Sequence, residues 1–273
     1  MLSVLGRDRV QWLTVAALIA TCNALAASMF ASVKTFGLFG AVLSTFGINP
    51  IFWIAAFAAV AIAFEDGATA PMRRGDGLVA GAVLLLVLSP FYSAATVGVV
   101  LAAVWLFLTS RRGSRGRRAA AVLLALTTSL IWGPLVLMLL GEWLLSLDGQ
   151  FVAWMAGTQA QGNLVDFTTP GKPLMIAYGC SSMHNLTMAI QLTVAMTQQL
   201  RLPFSPQVLL IGLAAIVANV LVNGARIATI AHHREAFDYW HVGAGATLYA
   251  WLAVLVVSVI VVIGCHALAP RRI

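Results

Sequence analysis

The sequence predicts an all-α polytopic membrane protein of about eight transmembrane helices, with a small outer-face loop that contains an interfacial helix and a β-hairpin. Three observations carry this. First, 61% of the 273 residues are hydrophobic and only 9% charged, with a mean hydropathy of +0.94, whereas soluble chains run nearer half apolar and about a quarter charged. Second, the excess falls in separate stretches near 10–30, 45–64, 78–90, 91–110, 119–140, 180–198, 207–230 and 241–264, most of them close to the roughly 20 helical residues that span the hydrocarbon. Third, the charges between those stretches alternate in sign from one side to the other.

The stretch at 78–90 is the shortest, and it ends in Ser89-Pro90, where proline breaks the helix and turns it into the next. Cytoplasmic loops collect Lys and Arg, which gives an independent count of the crossings. With eight, Arg7, Arg9, Arg73, Arg74, Arg111, Arg112, Arg115, Arg117, Arg118, Arg201, Arg271 and Arg272 share one side, about 12 of the 16 basic residues. That side is the expected cytoplasm, with both termini in it. The other side holds Lys34, Lys172, Arg226 and Arg234 against Glu142, Asp148, Asp166, Glu235 and Asp238. The net charge of +7 therefore encodes orientation and not a nucleic-acid partner. Residues 1–273 read as one integral domain of the cytoplasmic (inner) membrane. The start, Arg7 and Arg9 before an apolar stretch and Ala24-Leu25-Ala26-Ala27, also resembles a secretory signal. It is expected to be retained, and cleavage would leave the remaining topology unchanged.

The basic run at 111–118 contains Gly113, Ser114 and Gly116 and is expected to be a flexible cytoplasmic loop. The long outer loop covers 141–179. Within it Trp143, Leu144, Leu147, Phe151 and Trp154 recur at helical spacing around Glu142 and Asp148, as in a helix lying at the interface. Leu164-Val165-Asp166-Phe167, a Thr-Pro-Gly-Lys turn at 169–172, and Leu174-Met175-Ile176-Ala177-Tyr178 then read as a hairpin. Its second strand leads through Gly179 to Cys180, at the outer mouth of the sixth span. Cys22, Cys180 and Cys265 lie far apart without CxxC spacing, so neither a disulfide framework nor a zinc site can be read, and no cofactor is implied. Cys22 and Cys265 fall inside apolar runs and are expected to pack as small buried hydrophobes.

Polar residues suited to chemistry gather at the outer ends of the last three spans. They are Cys180 with Ser181, Ser182, His184 and Asn185, then Asn223 and Arg226, then His232, His233 and His241. Cys180 falls near a helix N-terminus, where the macrodipole favours negative charge on sulfur, and is the best nucleophile in the chain. Arg226 either faces a polar cavity or snorkels to the headgroups; position alone supports both. His241 opens the eighth span in His241-Val242-Gly243-Ala244-Gly245, whose small residues would admit a neighbouring helix. A thiolate, a cation for developing negative charge and a histidine for the leaving group's proton together make a thiol-acyltransfer site. His184 is the rival to His241, since four helical residues would put it on the face of Cys180. His232 and His233, beside Arg234 and Glu235, suit a solvated loop. Asn185 and Asn223 suit either a site lining or hydrogen bonds between helices.

These motifs resemble the exosortase/archaeosortase family of membrane cysteine transpeptidase-like proteins. A hairpin entering Tyr178-Gly179-Cys180-Ser181-Ser182 is similar to the family's strand and Cys-Ser block; Asn223-Gly224-Ala225-Arg226 fits its Asn-x-x-Arg, and His241-Val242-Gly243 its histidine followed by glycine. The motifs cover about 160–250. Ser182, followed by Met183-His184-Asn185, stands where many members have glycine. The resemblance implies Cys180 as nucleophile, Arg226 as oxyanion stabiliser or substrate orienter and His241 as general acid/base. It implies cleavage of membrane-anchored substrate proteins at a C-terminal signal made of a short motif, an apolar helix and a basic tail. A thioacyl-enzyme would pass the product to an amine acceptor or water.

Two other readings compete. A small transporter would place ionisable groups near mid-membrane at broken helices; Asn49-Pro50 interrupts the second span, but the polar set lies at one edge. A non-catalytic envelope or polysaccharide export factor would leave Cys180 an inert packing residue.

Overall fold

The computed structural model describes residues 8–67, 69–169 and 171–269, apart from the side chains of 92 and 183–185. The chain divides into two compact units, one made of 1–131 and 194–203, the other of 132–193 and 204–273. Arg7, Pro170, Arg271 and Arg272 of the sequence analysis lie outside the described residues, as do the side chains of His184 and Asn185.

The first unit is helical: α1 (Arg9–Ala24), α2 (Ala26–Leu43), α3 (Pro50–Ala63), α4 (Arg74–Leu88), α5 (Tyr92–Thr109) and α6 (Arg115–Thr127). Its core is built from small and branched residues, among them Leu13, Ala17, Ala20, Ala55, Ala59, Val99, Ala102, Leu106, Ala119 and Leu123. Small side chains let helix backbones approach closely where lipid removes the hydrophobic drive to associate. Asp8 starts α1, its Oδ1 accepting from the Val10 and Gln11 N–H groups, and Pro50 starts α3 behind an Asn49 cap. α4 stops at Ser89, which is extended (ψ 143°), as the residue before a proline must be.

One end of this unit is tied by buried charge. Arg9 donates from Nε and Nη2 to the two Asp76 carboxylate oxygens at 2.8 Å each, and Trp105 Nε1 donates to Asp76 at 2.7 Å. Arg115 pairs with Asp8, and Arg118 forks onto Glu65 at 2.9 and 2.6 Å while its Nε donates to the Gln198 carbonyl at 2.9 Å. Arg201 reaches Glu65 at 3.0 Å. Hence α1, α4 and α6 start from this end, and α3, α5 and α8 (Ser182–Gln199) finish at it. The run at 111–118 is therefore not a flexible loop: α6 begins at Arg115, and two of its arginines are pinned by carboxylates.

The stretch near 10–30 is two helices, turning at Leu25. Helix continues to Leu43 because no proline interrupts the Ala- and Phe-rich segment; Ser28, Ser32 and Lys34 lower its hydropathy without breaking it. α2 bends at Gly37 (φ 70°, ψ 170°). Six residues, 44–49, then join it to α3, and at about 3.5 Å each they cannot re-span a bilayer, so both ends of α2 lie away from the charged end. Cys22 is exposed on α1, not buried, whereas Cys265 is buried. By length and composition, four described helical segments can cross a membrane: Ala26–Leu43, Arg115–Ala156, Pro206–His232 and Ala244–Leu268.

In the second unit α7 (Gly133–Ala156) follows α6 through a π-turn at Thr128–Trp132. Pro134 lacks the N–H that would bond the Leu130 carbonyl, which accounts for the wider turn there. The segment expected as a separate interfacial helix is thus the continuation of this long helix, because nothing between 133 and 156 breaks it. Beyond it lie β1 (Ala160–Gln161), β2 (Leu164–Val165) and β3 (Leu174–Met175), an antiparallel sheet in the order β1-β2-β3. The expected hairpin is β2–β3, paired Leu164↔Met175 and Val165↔Leu174, with a third strand added by the Gly162-Asn163 turn. α9 (Pro206–His232), α10 (Phe237–His241) and α11 (Ala244–Leu268) complete the unit. Leu145 and Val152 of α7, Val165, Leu174 and Ile176 of the sheet, and Ile227 and Ile230 of α9 form its core.

Asp76 lies in the first turn of α4, ahead of the apolar stretch. Burial opposes its ionisation, but the bonds from Arg9, the Arg73 N–H and Trp105 outweigh that and hold its carboxyl at about 2. The Arg118 fork, helped by Arg201, holds Glu65 below the usual carboxylate range. Both groups ionise more readily folded than unfolded. Their stabilisation is therefore complete above the unfolded values near ~4 and is lost as pH falls through the folded ones. The unfolding temperature in detergent should drop as pH is taken from about 5 to about 2. At neutral pH, Asp76→Ala strands the buried Arg9 and should cost about 3–5 kcal/mol.

Candidate active site

Cys180 closes a short 3-10 turn, Tyr178–Cys180, that leaves β3, and its N–H donates to the Ala177 carbonyl at 2.9 Å. Ser181 is extended (φ −65°, ψ 142°), and α8 begins at Ser182. Cys180 thus precedes the helix and is not part of it. The helical spacing that would set His184 on its face does not hold, because the backbone is not helical between 180 and 182.

The Cys180 sulfur lies 3.5 Å from His241 Nε2, close enough to share a proton. His241 ends α10, and its ring stacks on Phe237 one turn earlier, with centroids 4.7 Å apart and planes 23° from parallel. That stacking supports the imidazole plane. His241 therefore does not open α11, from which Val242 and Gly243 separate it. The small residues after it do admit a neighbouring helix, α10 itself: a Cβ on Gly245 would fall 2.3 Å from the Trp240 ring. Glycine there lets α10 fold back on the start of α11, which aims His241 at Cys180.

α9 supplies the second support. Asn223, 3% exposed, donates from Nδ2 to the Cys180 carbonyl at 2.9 Å and to Ser182 Oγ at 3.3 Å. A Cβ on Gly224 would sit 2.5 Å from the Phe151 ring, so glycine lets α7 and α9 cross closely beside this bond. Arg226 lies one turn further along α9. Its Nε is buried without a partner, and its guanidinium makes no hydrogen bond among the described residues. The structure thus joins Cys180, His241, Asn223 and Ser182, and leaves the Arg226 guanidinium uncommitted.

From the far side, Asp148 of α7 accepts Ser181 Oγ–H at 2.7 Å and the Ser182 N–H at 3.0 Å, both on Oδ2. By sequence, Asp148 falls between the apolar residues of a helix expected at the interface. The signal lay in its spacing: Leu145, Asp148 and Val152 fall on one face, and Leu145 and Val152 are buried. The segment after β2 is tied to α9 by Thr168, whose N–H donates to the Ala231 carbonyl at 3.1 Å, and to the turn beyond α9 by Arg234, which lies 4.9 Å above the Phe167 ring. His232 and His233 are exposed, as expected for a solvated connection.

The family model described as transmembrane exosortase matches residues 44–258, which include every residue of this cluster. The chain belongs to the transmembrane exosortase family. As an exosortase it is a membrane protein of a sorting-related enzyme family, and the match starts just after α2 and ends within α11. No curated protein and no solved structure gives a significant match. In this exosortase, Asn223→Ala would leave the Cys180 carbonyl without its donor. It should destabilise the protein by about 1–3 kcal/mol in thermal unfolding.

Proposed function

We propose that this exosortase is a cysteine peptidase/transpeptidase that cuts the C-terminal sorting signal of exported proteins at the outer face of the cytoplasmic membrane. The 3.5 Å approach of Cys180 Sγ to His241 Nε2 carries this reading. His241 takes the thiol proton, and the sulfur attacks the scissile carbonyl carbon, forming a tetrahedral oxyanion. Arg226, with its unpaired donor, stabilises that oxyanion or orients the substrate. Collapse breaks the C–N bond, the leaving amine takes the proton from His241, and a thioacyl-enzyme remains on Cys180. An amine acceptor or water then attacks as His241 accepts its proton, and the Cys180 thiolate leaves. Ser181, Ser182 and Asn223 hold the backbone at the nucleophile, and the motif-bearing region is 160–250.

The chain crosses the membrane eight times with both termini in the cytoplasm, the charged end of the first unit on the cytoplasmic side. Supporting this, α1, α4 and α6 leave that end and α3, α5 and α8 return to it. α8 has 18 residues, about 27 Å of helix, close to the length that crosses the hydrocarbon. Substrates are membrane-anchored proteins with a short motif, an apolar helix and a basic tail, a helix that can pack on the exosortase's own apolar surface.

Mass spectrometry of envelope-protein C-termini, in cells with wild-type protein or with Cys180→Ala at equal expression, tests the reading. Some proteins should keep an apolar helix and basic tail only in the mutant; identical sets would favour a transporter or an export factor instead. Arg226→Ala and His241→Ala should each cut processing at least about a hundredfold. Arg226→Lys should also be poor, because a point charge does not reproduce a planar fork. For topology, a single cysteine at Asp166 should react with an impermeant maleimide in intact cells, and one at Ser114 should not.

A further inference from the structure

We propose that Asp148 is a positioning residue for the Cys180 nucleophile, clamping the two residues that follow it so that sulfur stays on His241; this rests on the Cys180–His241 reading above. A serine before a helix ordinarily turns its oxygen back to accept the first-turn N–H groups of that helix. The Ser181 side chain also reaches outside the helix. Its hydroxyl donates away, to Asp148 Oδ2 at 2.7 Å, and the Ser182 N–H, one of the first-turn donors of α8, goes to the same oxygen at 3.0 Å. A residue 33 positions earlier in the chain thus caps α8.

The charge of Asp148 is committed to this task. Among the described residues Asp148 has no cationic partner. Both of its bonds are charge-assisted, about twice as strong as neutral ones. Ser181 and Ser182 are 1% and 6% exposed, so both donors are buried.

With Asn223 holding the Cys180 carbonyl from α9 and the Ala177 carbonyl accepting its N–H, the segment 180–182 is fixed from both flanking helices. The side-chain torsion of Cys180 then places sulfur against the imidazole. Asp148 also occupies the α8 N-terminus with its own negative charge. Proton transfer from Cys180 therefore depends on the geometry of its pairing with His241. A displacement of about 1 Å at a reacting atom costs on the order of a hundredfold in rate.

The test uses the purified full chain in detergent with Cys22→Ser and Cys265→Ser, so that Cys180 is the single thiol, and reads its alkylation rate by iodoacetamide at pH 7. His241→Ala should slow alkylation about tenfold, and Asp148→Ala should do nearly the same. Because both act on one pair, the double variant should be no more than about twofold slower than the slower single one. Asp148→Asn, whose amide oxygen can accept both bonds, should stay within about threefold of the parent.

A parent-like or faster rate in Asp148→Ala overturns the proposal, as do losses that multiply in the double variant or an Asn variant as slow as Ala. If Asp148→Ala cannot be recovered folded, Ser181→Ala removes one of the two bonds and should slow alkylation about threefold; no change would overturn the proposal. An effect of His241→Ala with none from Asp148 rejects this inference alone. No effect of His241→Ala rejects the reading on which it rests.

Discussion

The bond from Asn223 to the Cys180 carbonyl is the contact on which the arrangement of the site depends. It ties α9, which also carries Arg226, to the short turn that carries the thiol, where the backbone is neither strand nor helix. Such a turn leaves polar backbone groups without regular partners, and each of them costs free energy if buried unpaired. Here the groups are paired by side chains from two helices: Asn223 takes the carbonyl of Cys180, and Asp148 takes the N–H of Ser182. The hydrogen bonds that pair this irregular segment are the same ones that hold the Cys180 backbone.

The charged end of the first unit meets a similar demand with different chemistry. Arg9, Arg115 and Arg118 are basic residues of the kind that set membrane orientation, yet each is held by a carboxylate within the protein. A pair such as Arg9–Asp76 is costly to desolvate, and its value lies as much in fixing which helix ends meet as in net stability. Three helices leave that end and three return to it. α2 stands outside the pattern, bent at Gly37 and largely exposed.

Much of this was legible in the sequence. Hydropathy and loop charge located the helices because lipid makes the apolar signal strong and continuous, and the family resemblance brought Cys180 and His241 into one site before any geometry was available. The signals that failed were those averaged over a window. Ser28 and Lys34 lowered the hydropathy of α2 without ending its helix, and the tryptophans at 143 and 154 suggested an interface helix where α7 simply continues. Asp148 escaped because its partners lie 33 and 34 residues away, and a period of 3.6 residues carries no information at that range. His184 was set beside Cys180 by assuming that the helix began two residues earlier than it does.

The central claim is that Cys180 carries the acyl group between cleavage and transfer. The direct measurement is mass spectrometry of the exosortase isolated rapidly from its native membranes, before and after neutral hydroxylamine, which cleaves thioesters. The account predicts an acyl adduct confined to the peptide containing Cys180, released by hydroxylamine as a hydroxamate at the C-terminus of the bound substrate. An adduct on any other residue, or continued processing of substrates with Cys180 permanently unmodified, would contradict it.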